Sequence, residues 1–117
     1  MYATGGGTTS YGVQVGTYTK IGNNVTVNIY LGITNLTGSG GGMSFGGLPF
    51  TQESSRNAVG AVMLNNFNLT SNAVQTTPYM VSPNDVRLYS TRDNSGWVRE
   101  SSDTSFDMYL SMSYQTA

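Results

Sequence analysis

The sequence predicts an all-β fold, either a β-sandwich or a β-barrel built from short strands. Residues 25–33 and 106–114 alternate between apolar and polar side chains almost without a break. A period of two with β-branched or large apolar residues on one face is typical of a half-buried strand. Gly, Pro and Asn separate the apolar segments, and no segment shows the period of a helix, which favours many short strands joined by turns.

The first strand is predicted over residues 13–21. It follows a Gly/Thr/Ser-rich stretch, residues 1–12, which we interpret as a flexible lead-in. Gly22-Asn23-Asn24 predicts a tight hairpin turn, because Gly and Asn tolerate a positive φ. In the second strand the apolar residues take every odd position: Val25, Val27, Ile29, Leu31 and Ile33. The glycine-rich residues 38–42 then end the regular pattern.

The second half of the chain predicts further short strands and one long one. The short strands are expected around residues 58–64, 67–74 and 86–89, and around 79–81, which Pro78 and Pro83 limit. The last strand is long, and its apolar face carries Phe106, Met108, Leu110, Met112 and Tyr114. We therefore predict a single β domain over residues 13–117.

The chain carries few charges. Asp, Glu, Lys and Arg make up 9% of its 117 residues, whereas an ordinary soluble domain has about 25%. Five basic residues cannot supply the patch that phosphate contacts need, so nucleic-acid binding is not expected. No apolar run approaches the roughly 20 residues that span a bilayer, so membrane insertion is not expected either. A surface this poor in charge suits a protein held in a larger assembly or one outside cells.

The absence of cysteine and histidine excludes several kinds of chemistry. Disulfides, Cys-containing zinc sites and the Ser-His-Asp and Cys-His catalytic arrangements cannot be built from this chain. Glycosidic cleavage by carboxylates needs two carboxyl groups held about 5 to 9 Å apart, and the sequence places no such pair. We interpret the six carboxylates as solvated loop side chains or as partners of the arginines. We expect a protein that is not an enzyme and that has no metal or cofactor.

Two segments resemble a module found near the C-termini of phage tail-fibre and other virion proteins. The first reads Gly16-x-Tyr18-Thr19-Lys20-Ile21-Gly22-Asn23 and leads into the alternating strand, and the second is Gly47-Leu48-Pro49-Phe50. The resemblance ends near Phe50, and beyond it only strand periodicity is evident. Such modules are similar in outline to jelly-roll heads of the C1q/TNF type, which assemble as trimers.

The resemblance implies a compact jelly-roll-like antiparallel β-sandwich in a homotrimeric component of a bacteriophage virion. Its partners would be other virion proteins, either in the capsid, as a decoration protein or head fibre, or in the tail, as a fibre tip. In the family pattern Lys20 would lie next to Tyr18 or cap the turn, and Asn23 would supply the turn itself. Leu48 and Phe50 would fill one end of the sandwich.

Three tyrosines mark one candidate surface. Tyr30, Tyr89 and Tyr109 lie on three different strands, each on the face opposite the apolar residues. They are either cross-strand aromatic pairs on an exposed face or part of a subunit interface, where tyrosine is enriched.

Trp97, the single tryptophan, marks the second candidate surface. It stands in a polar, turn-rich segment with Arg92, Asp93 and Arg99. An aromatic face beside polar groups suits sugar binding, so we predict a recognition loop here. The other interpretation is that Trp97 fills the end of the sandwich or a subunit interface.

The sequence thus leaves three functions open. The first is a non-enzymatic virion structural protein, displayed on the particle as a homotrimer and in contact with the host surface if it forms a fibre tip. The alternative is a carbohydrate-binding module that recognises a host cell-surface glycan. The least expected is a carboxylate-based enzyme that cleaves glycans.

Overall fold

A computed structural model describes residues 2–4, 8–37, 44–53, 57–81, 85–100 and 105–116. In these ranges every regular element is a β-strand. The strands are β1 (Tyr2–Thr4), β2 (Thr8–Ile21), β3 (Asn24–Thr37), β4 (Ser44–Gly46), β5 (Gly60–Asn65), β6 (Ala73–Met80), β7 (Val86–Arg92), β8 (Val98–Arg99) and β9 (Phe106–Gln115).

The strands form two antiparallel sheets. One is four-stranded, in the order β2-β3-β9-β5. The other has the order β1-β4-β7-β6, with the short β8 pairing with β7 as its fifth strand. The two sheets share one apolar core, so the predicted all-β sandwich is confirmed.

The core is built from the alternating residues of the two long strands. β3 and β9 pair in continuous register from Asn24↔Gln115 to Ile33↔Phe106, which aligns their apolar faces. All ten residues predicted to face inward from these strands are buried. The other sheet contributes Phe45, Met80, Val86 and Leu88. Full burial of one such side chain stabilises the fold by about 1.5 to 3 kcal/mol, so this shared face holds the sheets together.

The hairpin between β2 and β3 has a two-residue loop, Gly22-Asn23, closed by the pair Ile21↔Asn24. Gly22 has φ 60°, whereas Asn23 is not among the residues with positive φ, as in a type II′ turn. Glycine therefore supplies the unusual conformation, and Asn24 already belongs to β3.

Both long strands of this hairpin extend beyond their predicted ends. β2 begins at Thr8 and pairs with β3 out to Thr8↔Thr37, with register shifts around Tyr11. Much of the predicted flexible lead-in, residues 1–12, therefore lies in strands, since Tyr2–Thr4 also pairs with β4. Backbone hydrogen bonds need no apolar side chains, so a Gly/Thr/Ser-rich segment can pair without showing an alternating pattern.

Two other segments differ from the prediction. Residues 67–72 form no strand, and Asn66, just before this loop, and Asn72, its last residue, have positive φ. Pro78 lies inside β6 and does not bound it, which is allowed because β6 is an edge strand and can spare one backbone donor.

Candidate functional site

The two segments that resemble the virion module meet in the fold. The Tyr18 and Phe50 rings pack edge to face with centroids 5.4 Å apart. Lys20 Nζ donates to the carbonyl oxygen of Gly22 at 2.7 Å and lies 5.4 Å from the centre of the Phe50 ring. Leu48 is buried in the core. Lys20 thus caps the hairpin turn, and the second segment covers the inner side of β2, so these residues have structural roles.

The outer face of the four-stranded sheet carries a row of large side chains, one from each strand. Val15 pairs with Tyr30, Tyr30 with Tyr109, and Tyr109 with Met63, so the four lie side by side across the sheet. The rings of Tyr30 and Tyr109 stack with centroids 4.2 Å apart and planes 8° apart. Val15, Tyr109 and Met63 remain 58%, 45% and 63% exposed. We name these four residues the aromatic row.

A second row of smaller side chains runs beside the aromatic row. It consists of Thr17, Asn28, Ser111 and Ala61, again one residue from each strand. The two rows together line a shallow groove of about 440 Å³. None of these eight residues is charged, so another molecule can fill the groove without desolvating an ion; Asp107 lies on the same face beyond the aromatic row, opposite Gly32 and Asn65.

The hydroxyl group of Tyr30 interacts with that of Tyr109. A hydrogen bond with Tyr109 raises the pKa of Tyr30 above its usual value, and partial desolvation and the nearby Asp107 carboxylate add to the effect. The neutral form of Tyr30 is therefore favoured in the folded chain.

We predict an alkaline loss of stability from this pair. Because the folded-state pKa of Tyr30 is raised, its contribution is complete at neutral pH and is lost as the pH rises through that pKa. The melting temperature of the wild type should fall more steeply at alkaline pH than that of Tyr30→Phe, which has no hydroxyl to ionise. Parallel curves for the two proteins would contradict the prediction.

The structure divides the three tyrosines that the sequence singled out. Tyr30 and Tyr109 lie in the aromatic row, whereas Tyr89 lies on β7, in the other sheet. There Tyr89 contacts Trp97 at 5.7 Å and Tyr79 at 5.7 Å between ring centroids, and Tyr79 and Trp97 are 5.9 Å apart. We name Tyr79, Tyr89 and Trp97 the aromatic platform.

Polar side chains surround the aromatic platform. Arg87 Nε forms an ion pair with Asp85 Oδ2 at 2.8 Å. A hydrogen bond to Tyr89, followed by the one to Asp85, raises the pKa of Arg87. Asn57 Nδ2 donates to the Tyr79 hydroxyl at 2.6 Å. Both sides of the platform therefore carry hydrogen-bonding groups held by contacts within the chain.

The four residues of the predicted recognition loop do not converge on one point. Trp97 is 69% exposed in the platform. Arg99 pairs with Tyr89 across β7 and β8, and its Nη2 donates to Ser44 Oγ at 2.6 Å. Arg92 lies opposite Ala73 at the end of β7, and Asp93 is exposed in the turn that follows. Tyr79 joins the platform from β6, and the sequence had no signal for it beyond the residue type.

Glu100 corrects the interpretation of the carboxylates. It is 1% exposed, and its hydrogen-bond donors are a threonine and a serine instead of an arginine. Its oxygens accept bonds from the Thr70 amide at 2.9 Å, the Thr70 hydroxyl at 2.6 Å and the Ser90 hydroxyl at 2.6 Å. Glu100 is therefore a buried anchor for the loop that contains Thr70, whereas Asp85, paired with Arg87, fits the expectation.

The described residues offer little for metal chemistry. Among them, no three His, Cys, Asp or Glu side chains come together in a group that could hold a metal ion. In the same part of the chain, no helix is long and apolar enough to cross a membrane.

Comparison with known proteins gives no match. No family model matches the chain, and neither a curated protein nor a solved structure matches it. The two outer faces of the sandwich and the resemblance of the first segments are therefore the features that bear on function.

Proposed function

We propose that the chain is a non-enzymatic structural protein of a bacteriophage virion, displayed on the particle as a homotrimer. Each jelly-roll-like sandwich would turn its aromatic row toward the neighbouring copies. The proposed location on the particle is either the capsid, as a decoration protein or head fibre, or the tip of a tail fibre.

The exposed aromatic row is the observation that supports the association of copies into a trimer. A solvated sheet face is usually polar, yet this face holds Val15, Tyr109 and Met63 more than two-fifths exposed beside the stacked Tyr30. Tyrosine and methionine are enriched in protein interfaces, and charged residues are depleted at interface centres. The groove beside the row is also uncharged, so this face has the composition of an interface.

A second copy of this chain is the occupant that fits best. A formal net charge of −1 and a charged content of 9% give copies little mutual repulsion. The number three comes from the resemblance to trimeric heads, because the row by itself supports association without setting a symmetry.

We expect the protein in solution to have a mass of three times 12.5 kDa. Tyr109→Asp places a carboxylate in the centre of the row, where association would bury it unpaired, so this variant should be monomeric. The matched control is Val74→Asp, at a residue 73% exposed on β6 of the other sheet, and it should remain trimeric. Light scattering of the three proteins at equal concentration makes the comparison.

Two outcomes would overturn the assembly. A wild type that stays monomeric over a wide range of concentrations would exclude the trimer. Dissociation of both variants would show a general effect of added charge and no specific interface.

The proposed location in the virion is tested separately by a cryo-EM map of the particle. Regular copies over the capsid lattice indicate decoration, a few copies at the tail indicate a fibre tip, and absence from the particle rejects both.

A further inference from the structure

We propose that the aromatic platform is a binding site for an uncharged saccharide. The site lies on the outer face of the five-stranded sheet, on the other sheet from the aromatic row. It does not depend on the trimer or on the virion, because all the residues involved belong to one copy of the chain.

Trp97 combines exposure to solvent with a fixed position. Its ring is 69% exposed, so it fills neither the core nor the end of the sandwich. It is nevertheless held by Tyr79 and Tyr89, at interplanar angles of 53° and 44°. Those two tyrosines meet edge to face at 90° and stand on adjacent strands. An apolar ring fixed in water is a preformed surface, so a ligand that stacks on it pays little ordering entropy.

Hydrogen-bond donors and acceptors both lie around the rings of the platform. Sugar hydroxyl groups both donate and accept, while the C–H face of a pyranose is apolar. The platform offers an aromatic face together with a carboxylate acceptor, Asp85, and a guanidinium donor, Arg87, already paired at 2.8 Å. Asn57 adds an amide on the Tyr79 side. A small number of placed polar groups beside aromatic side chains is the usual composition of a small-molecule site.

The charges beside the platform favour an uncharged sugar. The Asp85 carboxylate offsets the charge of Arg87 and would repel an anionic group placed beside it. Arg99, which pairs with Tyr89 across β7 and β8, is held toward Ser44, to whose Oγ its Nη2 donates at 2.6 Å. The base of a nucleic acid would also stack on Trp97, but the phosphates of the nucleic acid need a basic patch. The chain has five basic residues against six acidic ones. An uncharged sugar ring meets both the apolar and the polar parts of the site.

The single tryptophan makes the site directly observable. Because Trp97 is the only tryptophan in the chain, its fluorescence reports on this platform alone. We would titrate the protein with the methyl glycosides of glucose, galactose, mannose and N-acetylglucosamine, and with methyl glucuronide as the anionic counterpart. We expect a saturable change with at least one uncharged glycoside in the millimolar range, and a much weaker one with the glucuronide.

Two variants keep the fluorophore while they change the site. Tyr79→Ala removes one support of the indole and Asp85→Asn removes the acceptor charge, and each should weaken binding at least tenfold. The matched control is Tyr18→Ala, which removes a tyrosine 55% exposed on β2, away from the platform, and should bind as the wild type does. Saturation-transfer NMR on Trp97→Ala should show no transfer to the sugar, and circular dichroism checks that each variant is folded.

Several results would overturn the proposal. They are the absence of a saturable change with every uncharged glycoside, a response to the glucuronide alone, and an equal loss in Tyr18→Ala. If Trp97→Ala changed the mass of the assembly in solution, the platform would be a subunit interface. The monomeric Tyr109→Asp variant should bind the same sugar, so the loss of the trimer and the loss of sugar binding can be told apart.

Discussion

Replacing Glu100 by alanine is expected to lower the free energy of unfolding by about 3 to 4 kcal/mol. The carboxylate is buried and accepts three short hydrogen bonds, from the Thr70 amide, the Thr70 hydroxyl and the Ser90 hydroxyl. Alanine leaves these donors without their acceptor, and each unsatisfied buried group costs about 1 to 3 kcal/mol. Ser90 escapes most of this cost because its hydroxyl lies 2.8 Å from Thr76 Oγ1 and can donate there.

Glutamine at position 100 separates the hydrogen bonds from the charge. Its amide oxygen, in the place of Oε1, can still accept both bonds from Thr70. Its NH₂ group can donate to Ser90 Oγ once the Ser90 hydroxyl turns toward Thr76. The variant loses the longer contact of the Thr70 amide with Oε2, at 3.1 Å, and the strengthening that the ionised acceptor provides, so Glu100→Gln should cost about 1 kcal/mol.

The two variants are compared by denaturant unfolding at neutral pH and at one fixed protein concentration, since association contributes to apparent stability. Hydrogen exchange of the Thr70 amide should accelerate much more in the alanine variant than in the glutamine variant. Equal losses of stability in Glu100→Ala and Glu100→Gln would show that the charge, and not the bond pattern, stabilises the loop.

The sequence predicted the parts of the fold that periodicity controls. Residues 25–33 and 106–114 alternate because β3 and β9 each have one face in the core, and the structure buries that face in both strands. The start of β2 at Thr8 was not predictable in this way, because residues 8–10 show no alternating apolar pattern and pair with residues 35–37 of β3 through the backbone. The sequence predicts a strand boundary at Pro78 because a single strand does not show whether it lies at the edge of a sheet, as β6 does.

The candidate surfaces were predictable in composition but not in arrangement. Alternation correctly placed Tyr30, Tyr89 and Tyr109 on outward faces, but it gives no strand partners. It therefore could not show that two of them stack while Tyr89 lies on the other sheet with Trp97. Glu100 was misassigned for a related reason, because its acceptor role depends on Thr70, a residue thirty positions away in a loop.

The two outer faces differ in a way that supports separate roles. The aromatic row consists of apolar and aromatic side chains, and the groove that it lines has no charged residue in its lining, as at the centre of a protein interface. The aromatic platform stands among an ion pair and an amide, as a small-ligand site does. A trimer formed through the row would leave the platform of every copy open to solvent, so the assembly would present three equivalent sites.

The second large effect is expected from Gly60→Ala. Gly60 pairs with Met112 across β5 and β9. A methyl group at Gly60 would overlap Met112 Cβ and the carbonyl oxygen of Ser111, and it would lie 3.0 Å from Met112 Cα. Two of these three atoms belong to the backbone, so no side-chain rotation relieves the overlap, and β5 must move away from β9. Overpacking of this kind costs about 1 to 3 kcal/mol, and we expect the upper end of that range.

The consequences should extend to the aromatic row, because Met63 is carried by the same short edge strand. Hydrogen exchange over residues 60–65 should accelerate, and association should weaken together with stability. Gly96→Ala is the matched control: a methyl group there meets nothing within 4 Å, so this variant should be unchanged or slightly stabilised through the unfolded state. If both variants unfold at the same denaturant concentration, the close approach of β5 to β9 does not require glycine at position 60, and the prediction is wrong.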